Sequence, residues 1–182
     1  LLDGRAGTGS TADRADAHRQ TQRLKTAAFV SGYPGSPLGG YDMELEKALR
    51  VATDVDVVLQ PGVNEELGAT AVMGSQLATE QPDAKYEGVL GIWYGKGPGI
   101  DRAGDALRHA NFAGTSAKGG AIALVGDDPA AKSSTIPSSS DATIYDLHMP
   151  IFYPGDVQEV VDLGRHAVAS VSYTHLRAHE TV

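Results

Sequence analysis

In Val89-Leu-Gly-Ile-Trp-Tyr94 the apolar residues follow one another without the polar alternation of a half-exposed strand. Three further runs have the same character: Thr26–Ser31, Val55–Gln60 and Ala121–Val125. Continuous short apolar runs are typical of strands buried on both faces of a parallel sheet. A fifth and weaker run, Pro150–Tyr153, is predicted as a strand on the same grounds.

Helical stretches lie between these runs, and Asp156 is predicted to cap the last of them. The predicted helices are Tyr41–Val51, Glu65–Glu80, Arg102–Phe112 and Val157–Ala169. The alternation predicts an α/β fold with a doubly wound parallel sheet and helices on both faces, which binds ligands at the carboxyl ends of its strands. The last helix has one apolar face, formed by Val157, Val160, Val161, Gly164 and Val168.

Composition narrows the class of protein. A net charge of -8 and a pI near 5.1, with no cluster of basic residues, argue against a nucleic-acid partner. With no cysteine, the chain can form no disulfide and no thiolate site for iron-sulfur clusters or zinc. No apolar run approaches the roughly 20 residues of a membrane span, and no signal pattern opens the chain. We therefore expect a cytoplasmic protein without a membrane partner.

The 182 residues suffice for one well-buried α/β domain, which we place at residues 24–170. Residues 1–23 lack apolar periodicity and are predicted to form an N-terminal arm. Residues 171–182 resemble translated sequencing-adapter sequence, so we expect a non-native tail. His175 and His179 are spaced as metal ligands on a helix can be, but we assign them no site for that reason.

The loop Gly32-Tyr-Pro-Gly-Ser-Pro-Leu-Gly-Gly40 follows the first predicted strand. Its prolines stiffen the backbone and its glycines permit tight turns and close ligand approach. Ser36 can present a hydroxyl to a substrate carboxylate or carbonyl there. The alternative is an ordinary turn with a solvated serine.

The loop after the second strand places Glu65 and Glu66 in the first turn of a helix capped by Asn64. Acidic residues at that position also simply complement the helix dipole. The helix that follows has little side-chain bulk, which indicates a close neighbour: a subunit, a flat cofactor ring or another helix of the same domain. The small residues concerned are Gly68, Ala69, Ala71, Gly74 and Ser75.

Two later loops carry weaker signals. Tyr94–Asp101 fits neither the dinucleotide nor the Walker spacing, which disfavours a nucleotide-binding protein. Lys96 within it can meet an anion at the start of the next helix, or can remain solvated. Gly126–Ser134 supplies two adjacent carboxylates, which are an incomplete set for Mg²⁺.

Five segments in order resemble the N-terminal region of the long, fused indolepyruvate ferredoxin oxidoreductases, and the resemblance covers about residues 5 to 169. The segments are Phe29–Asp42, Gln60–Ala69, Trp93–Arg102, His109–Ser116 and Gly126–Ser134. This family binds thiamine diphosphate, and the resemblance identifies the chain as its pyrimidine-binding domain, a parallel α/β unit.

The resemblance also implies roles for single residues. Glu65, with Glu66 as the fallback, matches the glutamate that contacts N1′ of the aminopyrimidine. Tyr33, Pro34 and Asn64 are implied to shape the cofactor pocket. Ser36 is implied to bind the 2-oxoacid substrate. Lys96 is assigned to the same substrate from its position at the start of the next helix, where it can meet an anion. The Asp127–Ser134 segment is implied to line the pocket.

By the same resemblance, the full protein oxidatively decarboxylates a 2-oxoacid to an acyl-coenzyme A and passes the electrons to ferredoxin. The chain has neither the Gly-Asp-Gly sequence that anchors Mg²⁺ and the diphosphate nor cysteines for iron-sulfur clusters. These functions are implied to lie in other domains of the polypeptide, in a homodimer, so the chain alone is expected to be inactive. The alternative is a non-catalytic binding or structural module with the same fold.

Overall fold

The computed structural model describes residues 25–35 and 38–173. Four strands alternate with helices, as the apolar runs predict. The strands are β1 (Thr26–Gly32), β2 (Val57–Leu59), β3 (Gly88–Lys96) and β4 (Gly120–Gly126). The helices are α1 (Tyr41–Val51), α2 (Glu65–Ala78), α3 (Gly97–Ala113), α4 (Asp141–Asp146) and α5 (Val157–Tyr173).

The four strands form one sheet in the order β2-β1-β3-β4, and every neighbouring pair is parallel. The chain moves from β1 outward to β2, then returns across β1 to β3 and β4. The direction of winding therefore reverses between β1 and β3, which is the position where open α/β sheets bind ligands. The predicted α/β class with a doubly wound parallel sheet is confirmed.

Helices cover both faces of the sheet. On one face α2 lies so close to β3 that a methyl group on Gly91 would come within 2.8 Å of Val72. This face holds the main core, in which Trp93 of β3 lies together with residues of α3 and with Leu147 at the end of α4. On the other face Tyr94 of β3 packs against Tyr41 of α1, with ring centroids 5.3 Å apart. The core residues of the first face are Ala69, Val72, Trp93, Ile100, Ala103, Leu107 and Leu147.

The run Pro150–Tyr153 is not a strand, so this prediction is wrong. Prolines at 150 and 154 remove backbone donors that a ladder would need. The segment packs instead through its side chains. Phe152 meets the His166 ring edge-on at 5.6 Å, and the Tyr153 hydroxyl donates to Asp141.

Helix boundaries also differ from prediction, and α2 ends at Ala78, two residues before its predicted end at Glu80. Helix α3 begins at Gly97, five residues before the predicted start, because proline is favourable in a first helical turn and the neighbouring glycines are buried against other elements. The short helix α4 was not predicted, since six residues are too few to show periodicity. Helix α5 begins where predicted and continues to Tyr173.

The valine face of α5 is turned away from the sheet. Val157 is 83% exposed, and Val160 and Val161 are each more than half exposed. The helix meets the sheet instead through Ala167, which is 7% exposed, and through Val171, which packs against Gly120 of β4. The spacing correctly indicated a helix but not the side that it buries.

The predicted arm, residues 1–23, and most of the predicted tail, from Thr174 onward, lie outside the described residues. The boundaries of the three predicted segments therefore stay predictions. In the described part of the chain, no helix combines the length and apolarity needed to cross a membrane.

Candidate functional site

The candidate site lies at the carboxyl edge of the sheet, where β1 and β3 end side by side. Two contacts bring the parts of this site together. A methyl group on Gly68 of α2 would come within 2.9 Å of the Gly32 backbone at the end of β1. A methyl group on Gly35 would lie 3.5 Å from the Lys96 side chain at the end of β3. Gly68 thus lets α2 meet the end of β1, whereas Gly35 and the Lys96 side chain lie at an ordinary contact distance.

Glu65 stands in the first turn of α2, at this edge. The side chain of Asn64 caps the helix by accepting a hydrogen bond from the Leu67 N–H at 2.9 Å, as predicted. The indole N–H of Trp93 donates to the Glu65 carbonyl oxygen at 3.0 Å, so the buried strand β3 fixes the start of the helix. The Asn64 cap and the Trp93 indole together fix the position of the Glu65 backbone.

The Glu65 carboxylate is held in a narrow space. Its side chain is 19% exposed, and a methyl group on Gly99 would come within 2.9 Å of its Cγ atom. Its nearest cation is Arg102, whose Nε lies 3.8 Å from Oε2. Within the described residues no hydrogen-bond donor reaches this carboxylate. It therefore has acceptor capacity available for a ligand N–H.

The structure separates the two adjacent acids. Glu66 is exposed, whereas Glu65 is partly buried beside Gly99 and Arg102. Of the two acids, Glu65 is therefore the one that lies within the candidate site. Sequence alone could not make this distinction, because both residues belong to the same helical turn.

Lys96 is neither fully solvated nor free. Its Nζ donates to the Ser133 carbonyl oxygen at 2.9 Å, and its positive charge contributes to lowering the pKa of Asp128. The lysine therefore links the end of β3 to the loop after β4. An anion at the start of α3 would have to share this ammonium group with that loop.

The carboxylates after β4 organise their own loop. Asp128 accepts hydrogen bonds from the Ser133 N–H at 2.8 Å and from the Ser133 hydroxyl, and these bonds are the main reason that its pKa lies below the ordinary value. Asp127 accepts from the N–H and hydroxyl of Ser140, each at 3.0 Å. Among the described residues, no three potential ligands come together to hold a metal ion.

The first loop is described only in part. Tyr33 is 44% exposed and Pro34 is also exposed, both at the end of β1. Ser36, the predicted substrate contact, lies outside the described residues. The structure thus brings Tyr33, Pro34 and Lys96 to the edge where Glu65 stands, and Ser36 stays a prediction.

Sequence analysis missed a polar cluster on the opposite face of the sheet. The Tyr94 hydroxyl and Asp42 Oδ1 are both buried and have no hydrogen-bond partner within the described part of the chain. Burial, with the charge of Asp42 as a smaller cause, raises the pKa of Tyr94 to about 12. The cluster depends on the packing of α1 against β3, so no pattern of neighbouring residues in the sequence could predict it.

A half-open surface depression of about 400 Å³ borders this cluster at Asp42. It is lined by Asp42, Met43, Glu46, Leu49, Leu59 and Pro61. A second depression of about 350 Å³ lies at the opposite edge of the sheet, near Glu87 and Lys118.

The chain matches no protein-family model, and no curated protein or solved structure matches it significantly. The function proposed below therefore rests on the sequence motifs and on the geometry of the carboxyl edge.

Proposed function

We propose that this chain is the pyrimidine-binding part of a thiamine-diphosphate-dependent 2-oxoacid:ferredoxin oxidoreductase of the indolepyruvate type. The observation that carries the proposal is Glu65. Its carboxylate is partly buried, lies at the carboxyl edge where β1 and β3 end, and accepts no hydrogen bond within the described residues.

The residues at this edge fit the aminopyrimidine of the cofactor. Glu65 would accept a hydrogen bond at N1′ of the ring, which favours the imino tautomer. Gly99 carries no side chain, and this lets the Glu65 side chain lie directly against the start of α3. Two contacts fix the backbone of this glutamate. Asn64 caps the helix, and the Trp93 indole donates a hydrogen bond to the Glu65 carbonyl oxygen.

The nearest cation to the Glu65 carboxylate is Arg102, whose Nε lies 3.8 Å from Oε2. An ionised carboxylate is the form that accepts a hydrogen bond from a ring N–H. At 3.8 Å the arginine does not compete as a hydrogen-bond donor. The bound cofactor supplies the electron sink for decarboxylation, and the protein supplies position and electrostatics.

The substrate is placed by Ser36 and Lys96 in this proposal. Lys96 stands at the end of β3, beside the loop that carries Ser36, and a 2-oxoacid carboxylate would share its ammonium group with the Ser133 carbonyl oxygen. Mg²⁺ and the diphosphate would be held by another domain. Coenzyme A and ferredoxin would bind elsewhere in the full protein, a cytoplasmic homodimer in this proposal.

A binding module without turnover is the alternative function. The carboxylates of the Asp127–Ser134 loop favour it in one respect, because they are engaged in holding the loop rather than directed to a ligand. The two functions differ in what the same chain does when it is joined to a diphosphate-binding domain.

The test is 2-oxoacid-dependent reduction of a viologen dye by the full-length protein with this chain in place. Glu65→Gln keeps the size of the side chain but removes its charge, and we expect it to reduce kcat by at least about 100-fold. Glu66→Gln makes the same chemical change on the exposed neighbour and should keep most of the activity. Full activity in the Glu65 variant would overturn the proposed role.

A further inference from the structure

We propose that Trp93 is a positioning residue for Glu65 and acts through the backbone of that glutamate. The inference rests on the function proposed above, because it concerns how the same carboxylate is held. Its basis is the hydrogen bond from the indole N–H of Trp93 to the Glu65 carbonyl oxygen, at 3.0 Å. This bond links an inner strand of the sheet to the first residue of α2.

Trp93 is a rigid anchor for this hydrogen bond. It lies in β3, where it is paired with Ser31 of β1 on one side and with Ala123 of β4 on the other. The residue is 1% exposed and belongs to the main core. Its ring lies close to Gly95, where a methyl group would come within 2.5 Å of the ring atom Cη2. The indole therefore has little freedom to turn, and its N–H points to one acceptor.

The segment that begins at Trp93 also reaches the Glu65 side chain. Residues 93–99 run from the second half of β3 into the first turn of α3. Trp93 meets the glutamate at its carbonyl oxygen, and Gly99 lies beside its Cγ atom, where a methyl group would come within 2.9 Å. A shift of α2 away from Trp93 would therefore also change the contact between Glu65 and Gly99. The position of the carboxylate thus depends on the hydrogen bond from Trp93.

The alternative role for Trp93 is to fill the core and nothing more. A buried indole N–H needs an acceptor in either case, because an unpaired donor is unfavourable. Here the acceptor is the carbonyl oxygen of the residue whose side chain enters the site. A displacement of about 1 Å at a reacting group can lower the rate by about 100-fold. Loss of this bond should therefore reduce turnover more than an equal loss of packing elsewhere in the core.

The first experiment uses the 182-residue chain, in which Trp93 is the only tryptophan and gives the only indole N–H signal in the NMR spectrum. Trp93 is replaced by 3-benzothienylalanine, whose ring has nearly the same shape but carries sulfur in place of the N–H. We expect the nuclear Overhauser effect between Gly99 and the methylene protons of Glu65 to weaken in this analogue. In the wild-type chain the indole N–H should exchange slowly with solvent, because it is buried and bonded.

The second experiment measures 2-oxoacid-dependent viologen reduction by the full-length protein. The analogue at position 93 should lower kcat by at least about tenfold and change the KM of the 2-oxoacid by less than about twofold. Trp93→Phe also removes the donor and should have the same effect. The control is Leu107→Val, which trims the same core roughly 12 Å along α3 from Gly99 and should keep kcat within about twofold.

Equal effects of the analogue and of Leu107→Val on kcat would overturn the role of Trp93, because loss of packing would then explain both. An unchanged contact between Gly99 and Glu65 in the analogue would also overturn it. In both cases an inactive Glu65→Gln variant would leave the proposed function standing. If Glu65→Gln is fully active instead, the proposed function fails, and the contact measured in the chain alone decides whether Trp93 positions Glu65.

Discussion

Two glycines of α2 occupy opposite environments, although both were predicted to face a close neighbour. Gly68 abuts the Gly32 backbone at the end of β1. Gly74 is exposed and has open space where a side chain would be. Packing within the domain therefore explains the glycine at position 68. Gly74 makes no such contact with the described residues, so packing among them does not explain it.

Alanine at these two glycines should change stability in opposite directions. Gly68→Ala places a methyl group 2.9 Å from backbone that cannot yield easily, and should lower the free energy of unfolding by about 1–3 kcal/mol. Gly74→Ala meets nothing and should raise it by up to about 1 kcal/mol through helix propensity. Urea denaturation of both variants measures the difference, and equal shifts would contradict the packing described here.

The buried Tyr94 makes the stability of the fold depend on pH in the alkaline range. Burial raises its pKa from 10 to about 12, so the folded chain keeps a proton that the unfolded chain loses. The stabilising contribution is therefore complete below pH 10 and is lost as the pH rises towards 12. Tyr94→Phe should remove this part of the alkaline loss of stability.

The same substitution tests the missing hydrogen bond. Because the buried Tyr94 hydroxyl has no partner within the described residues, Tyr94→Phe should keep stability at pH 7 within about 1 kcal/mol or raise it. Thermal unfolding at pH 7 and at pH 11 provides the measurement. A large loss at pH 7 would mean that the hydroxyl is bonded in solution.

At the scale of one element, the start of α2 positions the candidate site. Asn64→Ala removes the cap on the Leu67 N–H and should cost about 1 kcal/mol of stability. Asn64→Asp keeps an oxygen acceptor and should retain the wild-type midpoint in urea. Because Glu65 is the next residue, we expect Asn64→Ala to lower the proposed activity of the full protein more than a substitution elsewhere that costs the same stability.

Helix α5 provides the contrasting element. The double variant Val160→Ser, Val161→Ser changes two exposed positions and should shift stability by no more than about 0.5 kcal/mol. Ala167→Asp puts a charge on the side that meets the sheet and should unfold the helix or the domain. Circular dichroism during thermal unfolding distinguishes the two. Strong destabilisation by the serine pair would show that the valine face is covered in solution.

At the scale of the whole molecule, Glu87 ties the amino edge of the sheet together. Its carboxylate accepts from Lys118, near the start of β4, and from the Lys25 N–H beside β1 at 3.0 Å. The hydrogen bond from Lys118 is the main reason that its pKa lies below 4.5. One exposed carboxylate thus links the starts of β1, β3 and β4.

This contribution is fully present above pH 4.5 and is lost as the pH falls below that value, because the unfolded chain takes up the proton first. Glu87→Gln should therefore make stability less dependent on pH in this acidic range. Urea titrations at pH 6 and pH 3.5 check the expectation.

The sequence alone determined the alternation of strands and helices, the caps at Asn64 and Asp156, and the position of the loops at the carboxyl edge. These features follow from periodicity and from side chains that bond to their own backbone within a few residues. The cap at Asp156, for example, accepts from the Glu159 N–H at 2.8 Å, a contact that the local sequence already contains.

Only the tertiary structure decided which of two adjacent acids is partly buried, which side of α5 meets the sheet, and that Tyr94 and Asp42 share one buried environment. Each of these outcomes depends on residues far apart in the chain: Glu65 on Gly99 and Arg102, and Tyr94 on α1. Exposure and electrostatic surroundings are properties of packing between elements, so a local pattern cannot specify them.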